Sequence, residues 1–126
     1  MTDLKSLSKD TDGMATYDYL ANHVSDCLDN MDFITENLLR VDSTGQYLAS
    51  SARFLTSVNR EVFKPWIGRL IEGAINKDRE RRYISSLLEA VWGNDYLEHA
   101  DELIEKDDNF RRIYKRVYPQ KSGILI

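Results

Sequence analysis

Hydrophobic residues between Tyr17 and Val41 recur at alternating spacings of three and four. The eight residues at these positions are Tyr17, Leu20, Val24, Cys27, Met31, Ile34, Leu38 and Val41. Because an α-helix has 3.6 residues per turn, this spacing places all eight side chains along one side of a helix about 37 Å long. The pattern therefore predicts a single uninterrupted helix, with the rest of the chain packed against its apolar side.

The next two segments also have helical periodicity. Ser43-Thr44-Gly45-Gln46 fits the S-x-x-Q capping box, which predicts that a second helix starts there. Apolar pairs at four-residue steps over residues 62–75 predict a third helix with a broad buried face. Asn59 and Lys64-Pro65 are both candidates for the turn between these helices, because proline disfavours a helical conformation in the residue before it. The sequence leaves open whether the chain breaks or kinks there.

The second half of the chain predicts three more helices. Asp78 is a suitable N-cap for a fourth helix, whose apolar stripe covers residues 83–92. A fifth helix is predicted over residues 95–106 with an acidic outer side, and a sixth is predicted to start at Asp107 or Asp108. Together these patterns predict an all-α fold, a single-domain irregular bundle of five or six helices around the long N-terminal helix.

A chain of 126 residues has the size of one domain. Residues 1–13 are rich in Ser, Thr, Asp and Lys, so we expect a flexible N-terminal arm with little to bury. Residues 14–119 are expected to form the helical bundle, and residues 120–126 a C-terminal tail. This tail ends in three apolar residues that are candidates for binding a partner: Ile124, Leu125 and Ile126.

Hydrophobic runs and cysteine content indicate where the protein works. No apolar run approaches the roughly 20 residues that span a bilayer, and no apolar signal core follows Met1. The one cysteine, Cys27, cannot form an internal disulfide, which agrees with a reducing compartment. We therefore expect a cytoplasmic protein that does not bind a membrane.

Basic residues concentrate near the C-terminal end, although the net charge of the chain is −4. Residues 1–42 carry nine acidic and three basic side chains, whereas residues 109–126 carry five basic side chains and no acidic one. Four of these basic residues alternate with aromatic residues on the predicted sixth helix and are candidates for binding a polyanion: Arg111, Arg112, Lys115 and Arg116. Two other interpretations are a solvated face and a contact with the acidic fifth helix. The patch would be extended, if the fold brings the two segments together, by Lys77, Arg79, Arg81 and Arg82.

No complete catalytic, metal-binding or nucleotide-binding motif occurs in the sequence. His23 and Cys27 are one helical turn apart, but no second cluster supplies further metal ligands or a third catalytic group. His99 lacks the Glu-x-x-His pairing of a di-iron bundle. Residues 8–13 match the start of a calcium loop, but its twelfth position is Tyr19 rather than the required Glu. We therefore predict no catalytic residue, no metal site and no cofactor.

These patterns indicate a small cytoplasmic protein that is not an enzyme and that offers a helical surface to a protein partner, as an adaptor or regulatory domain. A second copy of the chain is one candidate partner, because the four-heptad seam over residues 17–41 suits a homodimer. The alternative is a nucleic-acid-binding regulator that uses the basic sixth helix. An enzyme is the third hypothesis, since a lack of motifs is weak evidence against one.

Overall fold

Six α-helices joined by short turns form the part of the chain that the computed structural model describes, residues 4–119. The helices are α1 (Met14–Asn22), α2 (Met31–Val41), α3 (Gln46–Lys77), α4 (Ser85–Trp92), α5 (Ala100–Lys106) and α6 (Asp108–Val117). Short 3₁₀ turns occupy Lys5–Lys9, Leu28–Asn30 and Tyr96–His99. No β-strand occurs within these residues, and the predicted all-α helical bundle is confirmed.

The predicted single helix over residues 17–41 is wrong, because the structure divides this segment into α1 and α2. α1 ends at Asn22, and turns occupy residues 23–30 before α2 starts at Met31. Five of the nine residues from 22 to 30 are Asn, Asp or Ser. Side chains of these types form hydrogen bonds with the nearby backbone, which compete with helical hydrogen bonds and favour turns.

The heptad pattern nevertheless identified core positions on both helices. Five of its eight residues are buried, namely Leu20, Cys27, Met31, Ile34 and Leu38. These side chains pack inside the bundle, and the other three residues of the pattern are half-buried. These positions are buried although the predicted helix is broken, because the turns between α1 and α2 return the chain to the same side of the core.

α3 takes the central place that we expected for an N-terminal helix, since it packs against α1, α2, α4 and α6. The helix is interrupted at Asn59, whose backbone is extended with φ −166° and ψ 93°. The Asn59 side chain accepts a hydrogen bond from the Val62 N–H at 3.1 Å and so caps the second half of α3. That half continues through Pro65. The sequence left two candidate positions for this turn, Asn59 and Lys64-Pro65. In the structure the turn is at Asn59.

The N-terminal segment packs onto the bundle from its first described residues. Leu7 is fully buried, and its carbonyl accepts a hydrogen bond from the Asn37 side chain at 2.7 Å. Arg40 donates to the Ser8 carbonyl at 3.0 Å and to Asn37 Oδ1 at 2.6 Å. We expected residues 1–13 to have little to bury, and Leu7 contradicts that expectation. At least one side chain before the predicted boundary at residue 14 is therefore buried.

Candidate anion-binding face

Three helices start after turns that an aspartate closes in similar ways. Asp10 precedes α1, Asp42 precedes α3 and Asp78 precedes α4. Each carboxylate accepts hydrogen bonds from backbone N–H groups two to six residues later, which a helix start otherwise leaves without partners. Asp42 alone accepts four such bonds at 2.9–3.0 Å. Asp42 and Asp78 are only 1% and 2% exposed, so these carboxylates stabilise the fold.

The third residue after each aspartate has a positive φ angle. These residues are Gly13 at 104°, Gly45 at 88° and Arg81 at 59°. A Cβ atom on Gly13 would lie 3.4 Å from the Asp42 Cβ, and one on Gly45 would lie 3.1 Å from the Asp78 Cβ. The three turns are therefore stacked against each other at one edge of the bundle. Arg81 belongs to the last turn of the stack, where its side chain is exposed.

α6 places two arginines at the C-terminal end of α3. Arg116 donates to the Ile75 carbonyl at 2.6 Å, and Arg112 donates to Asn76 Oδ1 at 2.7 Å. A helix C-terminus carries partial negative charge and carbonyl groups without intrahelical partners, so guanidinium groups are favourable there. The opposite side of α6 is buried, as its periodicity predicted, through Phe110, Ile113 and Tyr114.

Arg81 connects the Asp78 turn to α6, because its Nη1 donates to the Arg116 carbonyl at 3.1 Å across a sequence separation of 35 residues. The two basic segments of the sequence thus meet. We term the resulting surface the basic face, and it consists of Arg79, Arg81, Arg82, Arg111, Arg112, Lys115 and Arg116. Glu80 pairs with Arg82 at 2.7 Å, and Asp108 pairs with Arg111. Seven cations and two paired carboxylates give the basic face a net charge of +5.

The four α6 residues predicted to bind a polyanion differ in their contacts. Arg112 and Arg116 bind the end of α3, and Arg111 pairs with Asp108 on its own helix. The Lys115 ammonium group makes no hydrogen bond or ion pair with any residue from 4 to 119. Over the same range no ion pair joins α6 to an acidic residue of α5, so the basic side chains do not make the contact that one interpretation of the sequence required.

A cleft of about 230 Å³ opens between the Asp42 turn and the Asp78 turn. Lys77 lies in it, half-buried, and its ammonium group donates to the Leu39 carbonyl. Burial lowers the pKa of Lys77, and the negative charge of Asp42 acts in the opposite direction. The basic face extends into this cleft, whose lining includes the hydroxyl residues Ser43, Thr44 and Tyr83 and the cationic residues Lys77, Arg79 and Arg82.

The histidines and the cysteine make structural contacts. His23 Nδ1 lies 2.9 Å from the Tyr19 carbonyl oxygen, and its ring stacks on the Tyr19 ring. Cys27 is buried, and burial raises the pKa of its thiol, which disfavours the reactive thiolate. His99 contacts the Asp95 carboxylate at the surface at 3.2 Å. Between residues 4 and 119, no group of three or more His, Cys, Asp or Glu side chains could hold a metal ion.

The pattern that matches the start of a calcium loop is the Asp10 turn. Asp10 accepts hydrogen bonds from the N–H groups of Asp12 and Gly13 and from both the N–H and the hydroxyl of Thr16. Partial burial would raise the pKa of Asp10, but these hydrogen bonds outweigh it and lower the pKa to about 2. The carboxylate oxygens are therefore used by the start of α1.

Sequence reasoning missed the cleft and could not decide whether the basic segments meet. The signal that was present is a repeated spacing: Asp42 and Asp78 each follow a helix directly and precede a positive-φ residue by three positions. Asp-x-x-Gly marks two of the three turns in the sequence, at residues 10–13 and 42–45. The third turn escapes this pattern because Arg81 replaces the glycine.

No protein-family model matches the chain, and neither a curated protein nor a solved structure has a significant match to it. None of the helices within residues 4–119 is long and apolar enough to cross a membrane. Ile124, Leu125 and Ile126 lie outside the described residues, so their predicted role in partner binding stays a prediction.

Proposed function

We propose that this protein is a small cytoplasmic interaction domain without enzymatic activity, whose basic face binds an acidic segment of a partner protein. One observation carries the proposal, namely that the hydrogen bond from Arg81 to the Arg116 carbonyl unites two basic segments into one surface. This surface is built from the turn at one end of α3 and from α6, which are both part of the folded bundle. A rigid, preformed surface lowers the entropic cost of binding.

The charge of the basic face favours an anionic partner. Its net charge is +5 on a chain whose net charge is −4, so the positive potential is local. Single exposed ion pairs contribute about 0–1 kcal/mol, but several acting together steer association and select the partner. A short acidic segment touches the basic face alone, whereas a long polyanion also approaches the acidic remainder of the molecule.

Apolar residues of the tail complete the proposal. We assign Ile124, Leu125 and Ile126 to a hydrophobic contact with the same partner, because burial of apolar side chains adds affinity to charge contacts. The single buried cysteine is in keeping with the reducing cytoplasm that the proposal assumes.

A charge-reversal experiment tests the basic face. The probe is a fluorescently labelled, glutamate-rich peptide, and binding is measured by anisotropy at low salt. The double variant Arg111→Glu/Lys115→Glu changes half-buried positions one turn apart on α6 and leaves the two arginines at the end of α3 in place. We expect it to weaken binding about tenfold or more, because like charges then face the peptide.

The matched control is Arg60→Glu/Lys64→Glu, which reverses one arginine and one lysine at the same spacing on α3. Lys64 lies about 18 Å from Asn76 along α3, at 1.5 Å per residue. Both double variants alter the net charge of the chain equally. Arg60 and Lys64 are exposed, whereas Arg111 and Lys115 are half-buried, so urea denaturation of both variants confirms that each is folded before binding is compared. Equal losses in the two variants, or no binding of the peptide to the wild-type protein, would overturn the proposal.

Nucleic acid is the second candidate ligand. It is favoured by the same juxtaposition of arginines, because phosphate groups bind guanidinium groups through paired hydrogen bonds. This hypothesis predicts retention on single-stranded or duplex DNA or RNA that falls steeply with salt and is lost in Arg111→Glu/Lys115→Glu. A protein that passes through all of these matrices at low salt excludes it.

A second copy of the chain is a third candidate, because exposed carboxylates lie along α5 and the 3₁₀ turn before it. They belong to Glu98, Asp101, Glu102 and Glu105. Contact between these residues and the basic face of another copy would produce association that weakens with salt. Light scattering over micromolar concentrations distinguishes the cases, since a strict monomer at low salt excludes a second copy as the partner.

A further inference from the structure

We infer that the cleft between the Asp42 turn and the Asp78 turn binds a single phosphoryl group, carried by a phosphorylated side chain of the partner segment. The inference rests on the proposed function, because it names a feature of the ligand of the same face. It adds a binding pocket to the basic face, and it predicts that phosphorylation of the partner regulates binding.

The chemistry of the cleft suits a phosphate monoester. A phosphorylated serine or threonine carries about −1.5 to −2 charges near neutral pH and three acceptor oxygens. Arg79 and Arg82 supply guanidinium groups, and Ser43 supplies an exposed hydroxyl. Thr44 also lines the cleft, but its hydroxyl already donates to Asp42 Oδ1 at 3.4 Å. One guanidinium group binds two phosphate oxygens through two parallel hydrogen bonds. This arrangement fixes the orientation of the phosphate in addition to the attraction between the charges.

Lys77 is a half-buried cation of the cleft with an incomplete set of acceptors. Its ammonium group has three donors, and the structure gives it one acceptor, the Leu39 carbonyl. No ion pair connects it with a carboxylate of residues 4–119, although it is half-buried. A partly desolvated cation without a paired anion is costly, and a bound phosphoryl group would remove that cost. Burial lowers the pKa of Lys77, and the negative charge of Asp42 offsets this only in part.

The two acidic side chains near the cleft do not prevent anion binding. The Asp78 carboxylate accepts three hydrogen bonds, from the N–H groups of Arg82, Tyr83 and Ile84, so its charge is already compensated. Glu80 pairs with Arg82, and both side chains are more than half exposed. Such an exposed pair contributes little to stability, so a phosphoryl group can replace Glu80 as the partner of Arg82.

A phosphorylated peptide fits the cleft better than a nucleic acid does. A nucleic acid strand presents a phosphate at every nucleotide and needs a groove that continues along the strand. The cleft is one pocket with Glu80 at its edge, which would repel the adjacent phosphates of a strand. An acidic peptide with one phosphorylated residue places its doubly charged group in the pocket and its carboxylates on α6.

The test compares the glutamate-rich peptide with a central serine and the same peptide with phosphoserine at that position. Anisotropy of both forms is measured with the full chain. We expect phosphorylation to strengthen binding to the wild-type protein about tenfold, a gain typical of new charge-assisted hydrogen bonds. In Lys77→Met and in Arg79→Gln the gain should fall to about twofold or less. Arg79→Gln changes an exposed side chain, so it keeps the test valid if Lys77→Met weakens the fold.

Two controls separate this inference from the proposed function. Arg60→Gln, on the far half of α3, should keep the full gain from phosphorylation. If the wild-type protein binds both peptides equally, the cleft is not a phosphoryl site, while sensitivity of that binding to Arg111→Glu/Lys115→Glu still supports the basic face. If neither peptide binds, both proposals fail.

Amide chemical shifts identify the carrier of the phosphoryl group. Inorganic phosphate and the phosphopeptide should both move the amide signals of residues 43–44 and 78–83, with the phosphopeptide acting at lower concentration. A short single-stranded DNA that moves these signals at lower concentration than the phosphopeptide would overturn the choice of a phosphorylated protein segment.

Discussion

The Asp42 turn and the Asp78 turn share a hydrogen-bonding scheme but differ at the residue with positive φ. In the Asp42 turn this residue is Gly45, where an added Cβ would lie only 3.1 Å from the Ala74 carbonyl oxygen and from the Asp78 Cβ. In the Asp78 turn it is Arg81, the only residue other than glycine with positive φ among residues 4–119. Its side chain is exposed and reaches the Arg116 carbonyl.

This difference shows how position within the stack determines which residue a turn can hold. An inner turn is covered by the next turn, so only glycine fits at its third position. The last turn has no further turn above it, so a side chain fits there at the cost of about 1–2 kcal/mol of backbone strain. At Arg81 the strained position carries one of the cations of the basic face.

Removal of the Asp42 carboxylate should have the largest effect on stability. Asp42→Ala leaves four backbone N–H groups at the start of α3 without their acceptor, in a site that is almost fully buried. We expect the free energy of unfolding to fall by about 3–5 kcal/mol. Urea denaturation measures the change, with the exposed Asp26→Ala as a control that should stay within about 0.5 kcal/mol of the wild type.

Substitutions at the two positive-φ positions, Gly45 and Arg81, test the difference between the two turns. Gly45→Ala should destabilise the protein by about 2–3 kcal/mol, because its Cβ adds a clash to unfavourable backbone strain. Arg81→Gly and Arg81→Ala both remove the side chain, so their difference isolates the backbone. We expect the glycine variant to be more stable than the alanine variant by about 1 kcal/mol in urea denaturation. An alanine variant as stable as the glycine variant would refute strain at this position.

Acid should weaken the Asp10 turn. The pKa of Asp10 is about 2 in the folded protein against an ordinary value of 3.8, so the folded state binds this proton less readily than the unfolded chain does. Its stabilisation is therefore complete above pH 3.8 and is lost as the pH falls toward 2. We expect a contribution of about 1–2 kcal/mol, reduced from the full linkage value because the carboxylate is partly exposed.

Urea denaturation of the wild type and of Asp10→Asn at several pH values measures this contribution. The variant should be less stable near neutral pH, and the difference should shrink at about pH 2.5, where the carboxyl is protonated in the unfolded chain and remains largely ionised in the folded protein. A difference that does not change with pH would show that Asp10 contributes through something other than its charge.

The sequence predicted the helical class and much of the core, because apolar periodicity reports which side of a segment is buried. It did not predict the break between α1 and α2, since the heptad pattern continues through Cys27 although the residues around it favour turns. The capping-box pattern predicted the start of α3 correctly, but it assigned the hydrogen-bond acceptor to the wrong residue. Asp42, and not Ser43, supplies the acceptor.

Only part of the candidate site could be predicted from the sequence. The cations of α6 could be named from charge and periodicity, because both are local properties of the sequence. Their contact with Arg81 depends on the angle between α3 and α6, which short-range patterns do not encode. The cleft likewise depends on the stacking of two turns whose aspartates are 36 residues apart in sequence.

Amide chemical-shift mapping with the unphosphorylated glutamate-rich peptide tests most directly whether the two basic segments act as one surface. We expect the signals of residues 79–82 and 111–116 to move together and to give the same dissociation constant, with residues 60–64 unaffected. Movement of only one segment, or shifts centred elsewhere on the bundle, would contradict a single anion-binding face.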